Sequence, residues 1–201
     1  MSWSRAVSDN PNMVGPVHVR GPIWSFDWKL LKQLIEIFDV ASVLEVGAGR
    51  STQRFAEHGI PVTSLESNHR YMGRLARYFD SEEWGKHIRL APYTYVNGLG
   101  EPDLGGQTAW SFGFVDGPSA KVCPIRTRLH TCDFVFARTP RMVMHNSGRP
   151  GEVETVRIMA TRPGATVAQL KGLKTAVAFM TKYPEDIDKL LPEWQPEVIH
   201  G

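Results

Sequence analysis

Four ionisable side chains stand in or just beyond short apolar runs, where a chain folded into strands would gather them along one edge. Glu45 lies inside Val43-Leu44-Glu45-Val46-Gly47-Ala48-Gly49-Arg50-Ser51-Thr52. Glu66 follows the run 61–65, Asp116 follows 112–115, and His145 with Asn146 follows 142–144. Glycines at 47 and 49 let the backbone turn sharply and approach a ligand, and a helix starting near Ser51 offers unspent N–H groups. A dinucleotide fingerprint would want a third glycine at position 52, which is Thr. An acidic residue two places before the first glycine is poorly placed beside a pyrophosphate. It suits a ligand carrying positive charge.

Glu66 falls ~20 residues beyond the glycine turn, where a carboxylate can accept hydrogen bonds from both hydroxyls of a ribose. Asp116 heads Asp116-Gly117-Pro118, a sequence common in plain turns. Its place at the end of a strand favours a role beside the ligand. Histidine changes charge near neutral pH, so His145 suits a general base; a hydrogen-bonded histidine at a strand end fits the sequence equally well.

These residues need a frame. Residues 1–22 carry Pro11, Gly15, Pro16, Gly21 and Pro22 without periodicity and read as a flexible N-terminal arm. A helix from Ser25 or Asp27 places Leu30, Leu31, Leu34, Ile35 and Phe38 on one face. Strand 43–46 and a helix from about Ser51 to a C-cap at Gly59 follow. Next come strand 61–65, a helix capped by Asn68, a weaker strand 87–90 and a glycine-rich loop 97–109. Strand 112–115 leads to a helix with Pro124 in its first turn, then strand 142–144 and a helix 151–161. Strands 166–170 and 175–180 close the pattern as an antiparallel hairpin around Gly172. Ala176 to Phe179 are apolar on both faces, which suggests a strand inside the sheet. The alternation predicts an α/β, doubly wound, mostly parallel sheet in one domain spanning 23–181. Residues 182–201 form a tail or short helix, with Ile187, Leu190, Leu191 and Trp194 on one face.

Composition fits a soluble domain: 42% hydrophobic, 22% charged, net charge +2 and pI near 8.6. The charge is too mild to argue for nucleic acid, and no run is apolar enough to span a membrane. Cys123 and Cys132 show no zinc or redox spacing and suit a reducing, cytoplasmic compartment.

Over residues 25–180 the pattern resembles the class I S-adenosylmethionine (SAM)-dependent methyltransferases. It is closest to the small-molecule O-methyltransferase-like branch, with its E-x-G-x-G-x-S-T loop. The resemblance implies a seven-stranded Rossmann-like fold. It places Glu45, Gly47, Ala48, Gly49, Ser51 and Thr52 around the methionine part of SAM, with Ser51 and Thr52 donating to its carboxylate. Glu66 and Ser67 fall at the ribose, and Asp116 near the amino group and the methyl acceptor. Tyr93, Thr94 and Tyr95 fall where relatives contact adenine. Trp24, Phe26 and Trp28 either cover the site or pack the first helix. Metal-dependent relatives carry Asp-Asn where this chain has His145-Asn146. A divalent metal stays open, and the simpler expectation is a metal-free enzyme with Asp116 and His145 as catalytic residues.

The implied reaction moves a methyl group from SAM to a small-molecule acceptor, a hydroxyl by preference, leaving S-adenosylhomocysteine (SAH). A SAM-binding protein without this activity and a NAD-dependent oxidoreductase are the alternatives. Methylation of nucleic acid or protein is less favoured, since no Asn-Pro-Pro-Tyr-type motif is present. A homodimer is left open.

Overall fold

The computed structural model describes residues 25–94, 102–117, 128–171, 173 and 175–201, with backbone only for 25–27. The expected arm at 1–22, Trp24, the ring of Phe26, Tyr95, Cys123, Pro124 and Gly172 lie outside the described residues.

Helix α1 (Ser25–Phe38) leads into β1 (Val43–Val46), α2 (Arg50–Glu57), β2 (Val62–Glu66), α3 (His69–Asp80) and β3 (Ile88–Pro92). Strand β4 (Phe112–Val115) follows, then α4 (Leu129–Arg138), β5 (Arg141–His145), α5 (Pro150–Ala160), β6 (Thr166–Leu170), β7 (Val177–Thr181) and β8 (Pro196–Ile199). The strands form one sheet in the order β3-β2-β1-β4-β5-β7-β6-β8. β1 to β5 are mutually parallel, and β7 lies antiparallel between β5 and β6. The double-sided apolar run of β7 therefore does sit inside the sheet, as its sequence predicts.

Side chains alternate along each strand, so the sheet divides the core into two layers. Val43, Phe112, Phe114 and Phe179 pack on one side with Leu30, Leu31 and Leu34 of α1 and Phe55 of α2. Leu44, Val46, Val115, Met142 and Met144 pack on the other with Cys132 and Val135 of α4 and Val156 and Met159 of α5. Both faces being covered is what a parallel sheet requires. By alternation Glu45 shares the first side with Val43, beneath α2.

The sheet has one strand more than the seven expected, and the tail is not an amphipathic helix. Two 3₁₀ turns (Pro184–Lys189 and Pro192–Trp194) lead into β8, which pairs antiparallel with β6. Pro184, Pro192 and Pro196 explain the change. Each lacks an N–H and clashes with the preceding turn, so no α-helix can run through all three. Leu190 and Trp194 are still buried, in the same core as α1. No helix among the described residues is long and apolar enough to cross a membrane.

Candidate active site

The turn after β1 depends on Gly47, whose φ is +102°. A Cβ there would stand 2.9 Å from Gly117 N and 3.0 Å from Asp116 C. The loops after β1 and β4 thus touch through backbone alone, and a hydrogen bond from Asp116 N to Val46 O joins them. Helix α2 begins immediately beyond, so the positive end of its dipole faces the same edge.

Beneath the turn, Glu45 is fully buried. Its Oε2 accepts from Thr52 Oγ1 and Ser64 Oγ, each at 2.5 Å. Thr52 Oγ1 also accepts from Gly49 N at 2.8 Å. The one hydroxyl proton of Thr52 is therefore spent on Glu45, a task different from the expected donation to a ligand carboxylate. Glu45 Oε1 is buried without a hydrogen-bond partner. Burial pushes the Glu45 carboxyl up to about 7, against the pull of the Ser51, Ser64 and Thr52 hydroxyls. Ser51 lies in the first turn of α2. Ala48 packs its methyl group against Leu75 and Phe79 of α3, so only its backbone is placed to meet a ligand.

Glu66 ends β2, the neighbour of β1 on one side. Its Oε1 accepts from Asn68 N at 2.7 Å. Burial raises its pKa, with Asn68 and Ser67 opposing. The Ser67 hydroxyl also lies against Tyr93, which follows β3 and whose phenol burial raises to about 12. Asn68 caps α3 as expected, its side chain accepting from Tyr71 N.

Asp116 follows β4, the neighbour of β1 on the other side. Its Oδ1 lies 3.1 Å from His145 Nδ1, 3.3 Å from Arg128 Nη2 and 3.3 Å from Asn146 Nδ2. Burial acts to raise its pKa, but His145, Arg128 and Asn146 together hold the carboxyl below the ordinary range. Asn146 adopts a left-handed φ of +58°, which asparagine tolerates. His145 Nδ1 is also 2.7 Å from Asn146 Nδ2. Carrying a proton, that nitrogen donates to Asp116; bare, it accepts from Asn146.

Arg128 went unnoticed in the sequence. It is 1% exposed, and its guanidinium donates to the backbone carbonyls of His145 (2.5 Å) and Asp116 (2.9 Å). It also lies 3.5 Å from the buried Glu152 in the first turn of α5. No local pattern marks an arginine that works through strand ends distant in sequence. Gly117 was visible only as part of a turn. Trp28 packs edge-on against Phe55 and His58, which makes it a packing residue of α1.

The donor set around Asp116 does not fit magnesium. Three nitrogen groups already converge on Oδ1, whereas magnesium calls for oxygen ligands in an octahedron. Among the described residues no group of three His, Cys, Asp or Glu side chains is placed to hold a metal ion. For SAM the chemistry matches: the α2 N-terminus meets a carboxylate, the ionised Asp116 offers negative charge, and Glu66 can accept from a diol.

No family model matches the chain, and no curated protein matches it by sequence. Solved structures do. An O-methyltransferase from Bacillus cereus in complex with SAH aligns at TM-score 0.57 and 16% identity, over 80% of this chain and 82% of that one. Cofactor-bound Rv0187 from MTB aligns at TM-score 0.60 and 17% identity, over 81% and 82%. The O-methyltransferase TomG from Streptomyces achromogenes, in complex with SAM, aligns at 0.56 and 17%, over 80% and 81%. This chain has the Rossmann-like fold of these structures.

Proposed function

We propose that this protein is a SAM-dependent methyltransferase that acts on a hydroxyl of a small molecule. The observation that carries the reading is topological. The glycine turn after β1 lies between Glu66, at the end of β2, and Asp116, just past β4. The same carboxyl edge of an α/β sheet is where such folds bind ligands. The three solved neighbours support it, two being O-methyltransferases seen with SAH or SAM. We extend the domain expected over 23–181 to include β8, which completes the same sheet, and assign it the cytoplasm as its compartment and no nucleic-acid partner.

SAM, when bound, supplies an electrophilic methyl group on a good leaving group. The chain's own residues then have three tasks. The turn at Gly47, with Ser51 and Glu66, holds the cofactor, while Glu45 and Thr52 fix the shape of that turn from below. Asp116, kept ionised, orients the acceptor hydroxyl and the imidazole. His145, hydrogen-bonded to Asp116 through Nδ1, is the side chain assigned to take the acceptor proton. Alignment and exclusion of water supply most of the rate.

Calorimetric titration tests the cofactor first. SAH is expected to bind and NAD not to; binding of NAD alone would overturn the reading. Glu66→Ala should weaken SAH by roughly 10- to 100-fold, the value of a charge-assisted pair of hydrogen bonds. Incubation with labelled SAM and a metabolite extract then finds the acceptor. Transfer of label to no metabolite, with SAH bound, would favour a SAM-binding protein without this activity.

A further inference from the structure

A trough of about 520 Å³ runs between α5 and the β6–β8 edge of the sheet. Its size lies within the range of small-molecule sites. Val153 and Val156 of α5, Leu170 and Leu173 near the end of β6, and Ile199 of β8 give it apolar walls. Val153 is 37% exposed, an unusual amount for an apolar side chain on a helix that otherwise packs on the sheet. Gln169 is fixed in the wall, donating to Ser147 Oγ at 2.8 Å and to Val177 O at 3.0 Å.

Its charge is one-sided. Arg157 and Lys171 line it. Lys171 pairs with Glu197 at 2.5 Å. Arg157 is exposed and makes no ion pair among the described residues. One positive charge is left over beside an apolar surface. The upper end is built by Gly148, past β5, and Ala176, before β7, so it opens on the same edge of the sheet as His145.

We propose that this trough binds a small organic anion with an apolar body, its acidic group at Arg157. An apolar ligand alone would leave the arginine unused, and a simple inorganic anion would leave the apolar walls wet. The combination selects an amphiphile. The site is separate from the cofactor turn and does not rest on the methyltransferase reading.

Two fluorescent probes test it: anilinonaphthalene sulfonate, and phenylnaphthylamine, the same rings without the sulfonate. The sulfonate is expected to bind saturably at one site. Arg157→Glu should weaken it about fivefold, as reversal of a partly exposed ion pair does, and leave the uncharged probe unchanged. Val153→Trp, at an exposed position where the fold tolerates bulk, should weaken both. Sulfonate binding that ignores either substitution overturns the proposal. So does a dimer, seen by sedimentation, that Val153→Asp dissociates, for the trough would then be covered by a second copy. SAH titrated in parallel keeps the readings apart. If SAH fails to bind while the probes respond as expected, the methyltransferase reading falls and this one stands.

Discussion

Gly47 and Gly117 meet backbone to backbone: a Cβ on Gly117 would stand 3.0 Å from Gly47 Cα, and one on Gly47 would stand 2.9 Å from Gly117 N. The contact fixes the distance between the loop that follows β1 and the loop that carries Asp116. Gly117→Ala should force the loops apart, at about 1–3 kcal/mol for an overpacked site, and weaken SAH. Gly47→Ala should cost more, because φ +102° adds strain to the clash. Thermal unfolding and SAH calorimetry of both variants check this. Wild-type stability in Gly47→Ala would mean that the loops are not in contact.

Glu45 gives the ligand-free protein a pH signature. Its carboxyl is raised from an ordinary 4.5 to about 7 by burial. Between those values the folded state holds a proton that the unfolded state has released. The stability this confers is complete below 4.5, falls as pH rises toward 7, and is gone above it. The size is on the order of 3 kcal/mol across the window. Glu45→Gln removes the titration and should flatten that part of the profile, leaving the variant the more stable protein at pH 8. Parallel unfolding curves for the two proteins between pH 4.5 and 7 would refute it.

Much of this site was legible in the sequence because local chemistry marks it. A strand, two glycines and a helix start fall within ten residues at Val43 to Thr52, and Asn68 caps α3 as its type predicts. The ends of β2, β4 and β5 were likewise readable from short apolar runs. What could not be read depends on partners far apart in the chain. Arg128 reaches carbonyls at 116 and 145 and a carboxylate at 152, and nothing around it announces any of these. The role of Thr52 turned on Glu45, which takes its proton together with that of Ser64. The tail misled for another reason: Ile187, Leu190, Leu191 and Trp194 have helical spacing, but the prolines among them decide the backbone. Their burial was readable and their secondary structure was not.

Arg128 and Glu152 are both almost wholly buried, 3.5 Å apart, and Glu152 Oε2 is without a partner. Burial raises the Glu152 pKa while Arg128 opposes the rise. Removing only the arginine strands the Glu152 carboxylate and two carbonyls, whereas Asp116 keeps His145 and Asn146. Arg128→Met should therefore destabilise by about 3–5 kcal/mol, the usual result of breaking a buried pair. Arg128→Met with Glu152→Gln should recover a good part of that loss, since the stranded charge goes too. Denaturant unfolding of the single and double variants checks it; equal losses in both would show that the pair does not couple.

Asp186 anchors the tail. It is fully buried and accepts from Arg141 Nε at 2.6 Å, Thr181 Oγ1 at 2.7 Å and Lys189 Nζ at 3.0 Å. These contacts tie the 3₁₀ turn Pro184–Lys189 to β5 and β7. Asp186→Ala should cost about 2–3 kcal/mol, below the usual figure for a buried pair because Arg141 and Lys189 keep some contact with water. Hydrogen exchange would show the loss at β8 first. Unchanged protection of β8 would mean that the strand is held by its pairing with β6 alone.

The proposed function assigns the proton transfer to His145. Its side chain is 9% exposed, against 37% for Asp116. The carboxylate is the more open of the two, yet its lowered pKa makes it a poor base. If His145 takes the proton, His145→Gln should reduce turnover roughly 100- to 10,000-fold, the span of general-base catalysis, with SAH affinity unchanged. The acceptor found by labelled SAM serves as substrate. The pH profile separates this role from a structural one. Loss of the base should remove the acid limb of kcat, whereas a merely distorted site would lower the whole curve and keep its shape. A variant with the wild-type limb intact would leave Asp116 to position an acceptor that needs no base.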